Sequence, residues 1–232
     1  MKKIFLTTVL MLAWGFSARA TLCNWSSGSL NTLIPDNSSA GYTFSAPAGG
    51  GAWDSNPTGG NIDSVDVSLN LSGGYNGDLY GYLVYTVGGN STTAILLNRV
   101  GRSGANDAGS SIAGMNVTLS GTTGSDIHTA IGPLSGTYLA DGRTASPTGD
   151  FTGVTPTAGA GLDAFNSSSL AAGGTWTLFL ADLSAGDQSQ LLSWGLGVNV
   201  SVVPEPVTWA LLLFCALMAL VGLARWHKAQ QS

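Results

Sequence analysis

The chain has 232 residues, of which only 9% are charged, and its formal net charge is −5. Between Thr21 and Val202 it contains no lysine and no glutamate, and three arginines stand against twelve aspartates, a local net charge of −9. Because such a surface repels phosphate backbones and offers no basic patch, this composition excludes nucleic acid as a partner.

The first twenty residues are typical of a secretory signal peptide. Two lysines precede an apolar stretch from residue 4 to residue 16, and Ala18 and Ala20 form a cleavage site of the A-x-A type. We therefore expect the secretion machinery to export the chain and residues 1–20 to be removed.

Residues 21–60 lack a sustained period, and we treat them as an N-terminal extension without an assigned role. Further along, apolar and polar residues alternate from Ser64 to Leu71 and again from Leu192 to Val202, which predicts half-buried strands. Four more strands are predicted at 79–86, 93–100, 115–119 and 176–181, separated by stretches rich in Gly, Ser, Asn and Asp. Many short strands with such turns indicate an all-β fold, a β-sandwich or jelly roll.

Both ends of this predicted sandwich carry distinctive local patterns. The opening end has Asn-Ile-Asp-Ser-Val at 61–65 and Tyr-Asn-Gly-Asp-Leu at 75–79, and the closing end has Gly-Thr-Trp-Thr-Leu-Phe-Leu-Ala-Asp at 174–182, Gly-Asp at 186–187 and Leu-Ser-Trp at 192–194. Residues 61–202 thereby resemble a divergent P domain, also called Homo B. In that family the domain follows and stabilises the catalytic domain of subtilisin-like proprotein convertases. The resemblance therefore implies a P-domain-like sandwich and a protease-accessory role.

A protease in its own right needs a serine activated by a positioned histidine and an orienting carboxylate. His128 is the single histidine between residues 21 and 202, and Ser125 and Asp126 precede it in a Gly-rich loop. No G-x-S-x-G elbow accompanies these residues. We therefore predict that His128 is a solvated loop residue, that the chain has no catalytic residues and that it is not an enzyme.

The twelve aspartates suggest one metal. Most are explained as turn formers, because their short side chains bond the local backbone. The alternative is calcium, which prefers hard carboxylate oxygens. The candidate ligands are Asp78, Asp182 and Asp187, because the P-domain resemblance implies that they occupy characteristic positions of that family.

Aromatic residues suggest a second ligand. Trp176 and Trp194 are in phase with apolar residues of their strands, so we predict that both pack in the core. Tyr80 and Tyr82 point to the opposite face of their strand from Leu83. They are the main candidates for stacking on the sugar rings of an extracellular polysaccharide.

The last thirty residues combine three features. The box Val203-Pro204-Glu205-Pro206 is stiff and extended, because proline does not continue a helix and restricts the residue before it. An uncharged apolar run follows from residue 207 to residue 224, which as a helix is long enough to span a bilayer. Arg225 and Lys228 come next and are expected to stay on the cytoplasmic side. Residues 203–232 therefore predict a single transmembrane helix with a basic tail.

This arrangement resembles the PEP-CTERM sorting signal, although that family usually has a cluster of arginines after the span. The resemblance implies a Gram-negative bacterium with an extracellular polysaccharide, and processing of the signal by a membrane-embedded exosortase. The sequence thus predicts an exported, non-catalytic protein of the cell envelope, outer surface or matrix, anchored transiently in the inner membrane. A carbohydrate-binding module and a protease-accessory module are the alternatives.

Overall fold

The computed structural model describes residues 20–49, 53–55, 59–171, 173–201 and 206–230. A compact β unit spans Ala20–Ser201, and Val202–Ser232 belong to a second unit. The predicted signal peptide up to residue 19, with Ala18, lies outside the described residues, as do Val203, Pro204 and Glu205 of the box.

The β unit is built from strands joined by turns and by three short 3₁₀ helices. Its described strands are β1 (Ala20–Ser26), β2 (Thr32–Leu33), β3 (Tyr42–Pro47), β4 (Gly60–Tyr75), β5 (Leu79–Val87), β6 (Asn90–Asn98), β7 (Ala113–Ser120), β8 (Ser125–Asp126), β9 (Leu134–Leu139), β10 (Ser169–Leu170), β11 (Thr175–Asp182) and β12 (Ser189–Ser201). The 3₁₀ helices are Asn76–Asp78, Ile127–Thr129 and Leu162–Phe165.

These strands form two sheets. The larger sheet has the order β1-β12-β4-β7-β9-β8, with β2 pairing to β12 and β10 pairing to β4. The smaller sheet has the order β3-β11-β5-β6 and is antiparallel throughout. In the larger sheet, β9 runs parallel to both of its neighbours, β7 and β8. The prediction of a mostly β protein is confirmed.

The alternation of the sequence explains which face of each sheet is buried. In β4 the apolar side chains from Val65 to Leu71 are buried, and β12 and β5 behave in the same way. Trp176 lies between Tyr85, at a ring-centroid distance of 4.4 Å, and Phe165, at 5.0 Å. Trp176 and Trp194 are both buried, which confirms their predicted packing role. One hydrophobic core therefore takes side chains from both sheets.

The described residues between 21 and 60 do not form a separate extension. Strand β1 pairs along its whole length with β12 at the edge of the larger sheet, and β3 pairs with β11 at the edge of the smaller one. The alternation there is weak because edge strands leave more of their side chains in solvent. The domain boundary predicted at residue 60 is therefore not a structural boundary.

The second unit contains the helix α1, Pro206–Ala229. Pro206 occupies its first position, where a missing N–H and a fixed φ are compatible with a helix start. Arg225 and Lys228 lie near its C-terminal end and are exposed. Over the described part of the chain, no helix reaches the combination of length and hydropathy that a bilayer span requires. A helix forms where the apolar run predicted one, but the prediction of a transmembrane helix is not supported.

Candidate functional site

The outward face of the larger sheet carries a trough of about 360 Å³, which we call the polar trough. It crosses four neighbouring strands, β1, β12, β4 and β7. Its polar lining consists of Asn24, Ser26, Asp66, Ser68, Asn70, Asn116, Thr118 and Ser193, together with Gly195 and Gly197.

Strand register arranges this lining in rows, because directly paired residues on adjacent strands point to the same face. One row crosses the sheet as Asn24, Gly197 and Asp66. The next row is Ser26, Gly195, Ser68 and Thr118, and a third is Ser193, Asn70 and Asn116. Small and amide side chains thus lie side by side across strands that are far apart in sequence.

Two glycines of β12 form the floor of the trough. A Cβ atom on Gly195 would lie 2.8 Å from the backbone oxygen of Trp25, which is closer than such atoms approach. A Cβ atom on Gly197 would lie 3.4 Å from Asn24 Oδ1 and 3.7 Å from Asp66 Cβ, at ordinary contact distances. Gly195 is therefore required by the close approach of β1, whereas a Cβ atom on Gly197 would make only ordinary van der Waals contacts.

Polar side chains in the trough have unused hydrogen-bonding capacity. Within the described residues, six of them make no side-chain hydrogen bond and no ion pair: Asp66, Ser68, Asn70, Asn116, Thr118 and Ser193. Amides and hydroxyls both donate and accept, so this surface can bond a ligand that does the same. The alternating strands predicted that these residues face outward, but only the register shows that they meet.

Asn24 and Ser26 are the exceptions: Ser26 Oγ accepts the Gly28 N–H, and Asn24 at the rim is held by Asp54. Its backbone N–H and its Nδ2 donate to the two carboxylate oxygens of Asp54, each at 2.7 Å. These bonds, the backbone one foremost, lower the pKa of Asp54. Because Nδ2 is held by an ionised carboxylate, the orientation of the Asn24 amide is fixed.

The predicted sugar-stacking residues lie on the other sheet. Tyr82 stacks on Phe179 at a ring-centroid distance of 4.6 Å with an interplanar angle of 15°, and Tyr80 meets both rings edge-on. Burial, with the nearby Tyr82, raises the pKa of Tyr80. The face of Tyr82 towards Phe179 is therefore covered, while Tyr80, Tyr82 and Phe179 are all half-buried, so sugar stacking by Tyr80 and Tyr82 stays a prediction.

The predicted calcium ligands are not brought together as a trio. Asp78 is buried and lies 3.4 Å from the guanidinium of Arg99, while Asp187 is exposed. Asp182 is fully buried, and its Oδ2 accepts a hydrogen bond from the Ser189 N–H at 3.2 Å. Burial raises the pKa of Asp182, and the charge of Asp78 adds to the rise. Among the described residues, no group of three or more His, Cys, Asp or Glu side chains is arranged to hold a metal ion.

His128 is buried, with 6% of its surface exposed, so the prediction of a solvated loop histidine is wrong. Its Nδ1 lies 2.8 Å from Asp141 Oδ2 and its Nε2 lies 2.8 Å from the backbone oxygen of Arg102. The ring also stacks on Phe151. Tertiary partners that are distant in sequence, rather than the composition of the Gly-rich loop, decide this burial.

Four residues form what we call the ion cluster: Asp126, His128, Asp141 and Arg143. Arg143 bonds Asp126 Oδ2 at 2.6 Å and Asp141 Oδ1 at 3.1 Å. Asp141, which is fully buried, also accepts the Asn98 N–H at 3.0 Å. Two cations and two carboxylates therefore balance when His128 is protonated.

The electrostatics of the ion cluster favour that protonated form. Burial alone would lower the pKa of His128, but the hydrogen bond and charge of Asp141, with the Arg102 carbonyl, raise it overall. Both ring nitrogens then donate, to a carboxylate and to a carbonyl. Nε2 therefore faces a carbonyl oxygen instead of the exposed Ser125, and the His128–Asp141 pair lacks the geometry of a serine-protease triad.

Comparisons with known proteins identify no family for this chain. No family model matches the chain, and no curated protein matches it. Among solved structures, it is similar to a chain of the crystal structure titled as the Aeromonas sobria serine protease (ASP) and chaperone (ORF2) complex, at 16% identity with a TM-score of 0.41. The match covers 84% of this chain and 30% of that one. A similarity this low supports no inference about function.

Proposed function

We propose that this chain is an exported, non-catalytic protein that binds carbohydrate in its polar trough. One observation carries the proposal: six polar side chains line a glycine-floored trough and have no partner among the described residues. Sugars present many hydroxyl groups that both donate and accept, which is what amides and hydroxyls of the trough match. Polar groups that converge in a concave site are the usual source of ligand specificity.

The dimensions of the trough fit a short stretch of a glycan chain. Adjacent strands lie about 4.8 Å apart, so four strands give a width of about 14 Å. Most of the polar side chains along this width are small. Phosphate-rich or strongly anionic polymers are disfavoured, because the region from Thr21 to Val202 carries nine more negative than positive charges.

The test is a binding measurement with the host's extracted extracellular polysaccharide. Replacing Asn70 and Asn116 together by leucine removes two amides without opening the core, and we expect the dissociation constant to rise at least tenfold. Asn90→Leu, an exposed amide at the start of β6 and outside the trough, is the matched control and should bind normally. Unchanged binding by the double variant, with loss on Tyr82→Ala, would move the site to the smaller sheet and contradict the proposal.

The export and sorting of the protein form the second part of the proposal. We propose that residues 203–232 are a PEP-CTERM sorting segment processed by an exosortase, and that the mature protein reaches the envelope or the matrix. The Val203-Pro204-Glu205-Pro206 box and the two exposed basic residues, Arg225 and Lys228, support it. Intact mass and cell fractionation of the wild type and of a variant with Ala-Ala-Ala at 204–206 test it. An uncut C-terminus in both proteins would overturn this part while leaving carbohydrate binding open to its own test.

A further inference from the structure

The chemistry of one row of the polar trough differs from that of the others. In the row Asn24, Gly197 and Asp66, two oxygen-bearing side chains lie on either side of a glycine. Asn24 Oδ1 is 3.4 Å, and Asp66 Cβ 3.7 Å, from the point that a Cβ atom on Gly197 would occupy. The space above Gly197 is therefore bordered by the Asn24 amide oxygen, by a methyl group of Leu22 at 3.6 Å and by Asp66, whose side chain also lines the trough.

The protein itself fixes the Asn24 amide as an acceptor in this row. Its Nδ2 donates to Asp54 Oδ2 at 2.7 Å, which leaves Oδ1 on the side of Gly197. Asp54 adds a second negative charge at the rim. The row therefore offers acceptors and negative charge, and its glycine supplies no competing side chain.

Asp66 has no cation of its own. It is half-buried, and none of the ion pairs formed by described residues includes it. The three arginines of the β unit are buried elsewhere, each with other carboxylates: Arg99 with Asp78, Arg102 with Asp107, and Arg143 with Asp126 and Asp141. A carboxylate that loses part of its hydration without a counter-charge gains most from a cationic ligand group.

We propose that this row binds an ammonium group, and that the polar trough selects a glycan with free amino groups. An ammonium has three donors and no acceptor, which matches the carboxylate of Asp66 and the amide oxygen of Asn24, two acceptors of the same row. The remaining rows bond the hydroxyls of the same chain. This inference rests on the proposed carbohydrate binding and assigns its substrate class, a polymer of unacetylated amino sugar.

Tryptophan fluorescence gives a direct titration, because Trp25 and Trp194 border the trough with ring centroids 4.8 Å apart. The purified protein is titrated with the trimers of glucosamine, N-acetylglucosamine and glucose. We expect the glucosamine trimer to bind about tenfold more tightly than the other two, since a hydrogen bond to a charged group is worth about that factor or more. The preference should shrink as salt is added.

The variant Asp66→Asn keeps the shape of the site and removes its charge. We expect it to bind all three trimers equally, at the affinity that the wild type has for glucose trimer. Asp187→Asn, which removes an exposed carboxylate outside the trough lining, is the matched control and should keep the preference. Circular dichroism melts of both variants check that the fold is retained.

The outcomes separate the two proposals. If all three trimers bind the wild type with equal affinity, carbohydrate binding stands and the amino-sugar assignment fails. If none of the trimers binds, and the host polysaccharide does not bind either, both fail. A lysine trimer that binds as tightly as the glucosamine trimer would show that charge alone is recognised, which also overturns the assignment to a glycan.

Discussion

The polar trough and the ion cluster contain similar polar groups, but those of the ion cluster are hydrogen-bonded and ion-paired within the protein, whereas most of those of the trough are not. In the ion cluster, carboxylates, an imidazole and a guanidinium are buried and bonded to one another. In the trough, carboxylate, amide and hydroxyl groups face solvent without partners from the described chain. Buried polar groups are almost always bonded within a protein, so the ion cluster is explained by folding alone. Folding does not explain the unpartnered polar groups of the trough, which is why the trough is the better candidate for binding.

The largest expected effect comes from breaking the ion cluster at its centre. Asp141→Ala removes an acceptor of His128, Arg143 and the Asn98 N–H, and it leaves the buried His128 without a counter-charge and Arg143 with Asp126 alone. Breaking a buried pair in this way costs about 3–5 kcal/mol of unfolding free energy. Urea denaturation measures it. The same change in the trough, Asp66→Ala, should stay within about 0.5 kcal/mol. Equal losses of unfolding free energy in the two variants would contradict the view that the ion cluster stabilises the fold and the trough does not.

The pH dependence of stability gives a second, smaller contrast. Since the folded state raises the pKa of His128, its contribution to stability is complete below the unfolded value of about 6.5 and is lost as the pH rises through the folded value. The unfolding free energy of the wild type should therefore fall with pH above about 6.5. His128→Gln should be less stable at low pH and should lack this decline. If the unfolding free energy of the two proteins had the same slope against pH between pH 6 and 9, His128 would not be the group responsible for the decline.

Removing the charge of Asp182 should not lower the unfolding free energy, in contrast to the losses expected for Asp141→Ala and His128→Gln. Its folded pKa is raised, mainly by burial, so ionisation of the buried carboxylate lowers the unfolding free energy as the pH rises through that value. We expect Asp182→Asn to leave stability at pH 7 unchanged or to increase it slightly, as measured by urea denaturation. A marked loss, together with a wild-type melting temperature that falls on adding EGTA, would instead show that a cation such as calcium binds the carboxylate.

The smallest effects distinguish the two glycines of the trough floor. Gly195→Ala should destabilise the protein, because its Cβ would press on the Trp25 backbone and separate β1 from β12. Gly197→Ala has room, so its melting temperature should match the wild type while affinity for the glucosamine trimer falls. Thermal melts and fluorescence titrations of the pair measure both quantities. An affinity unaffected by Gly197→Ala would place the ligand away from this row.

The sequence predicted the parts of the fold that depend on local pattern. Alternation located β4 and β12, and runs of strand-forming residues between turn-rich stretches located β5, β6, β7 and β11, all within a few residues of their observed bounds. It did not find β1 and β3, whose positions at sheet edges leave them with weak alternation. It also missed β9, in which only Leu134 is buried, and the short strands β2, β8 and β10, since two residues carry no period.

Long-range partners explain what was missed at the sites. The small polar residues of β4 were predicted to face solvent, but the meeting of Asp66 with Gly197 and Asn24 depends on register between distant strands. His128 was assigned to solvent because its neighbours in sequence are glycine and hydroxyl residues, while its burial is decided by Asp141 and Arg102. No local sequence pattern predicts the row that joins Asp66, Gly197 and Asn24, or the contacts that bury His128.

The pairing of β1 with β12 sets the order in which the β unit can be completed. Ala20 lies opposite Ser201, so the first described strand finds its partner only in the last one. A chain that emerges from its N-terminus therefore holds β1, seven residues without a charge, unpaired until nearly the whole unit has been made. Such an edge invites pairing with other chains during that interval. Folding yield, more than final stability, should therefore be sensitive to substitutions in β1.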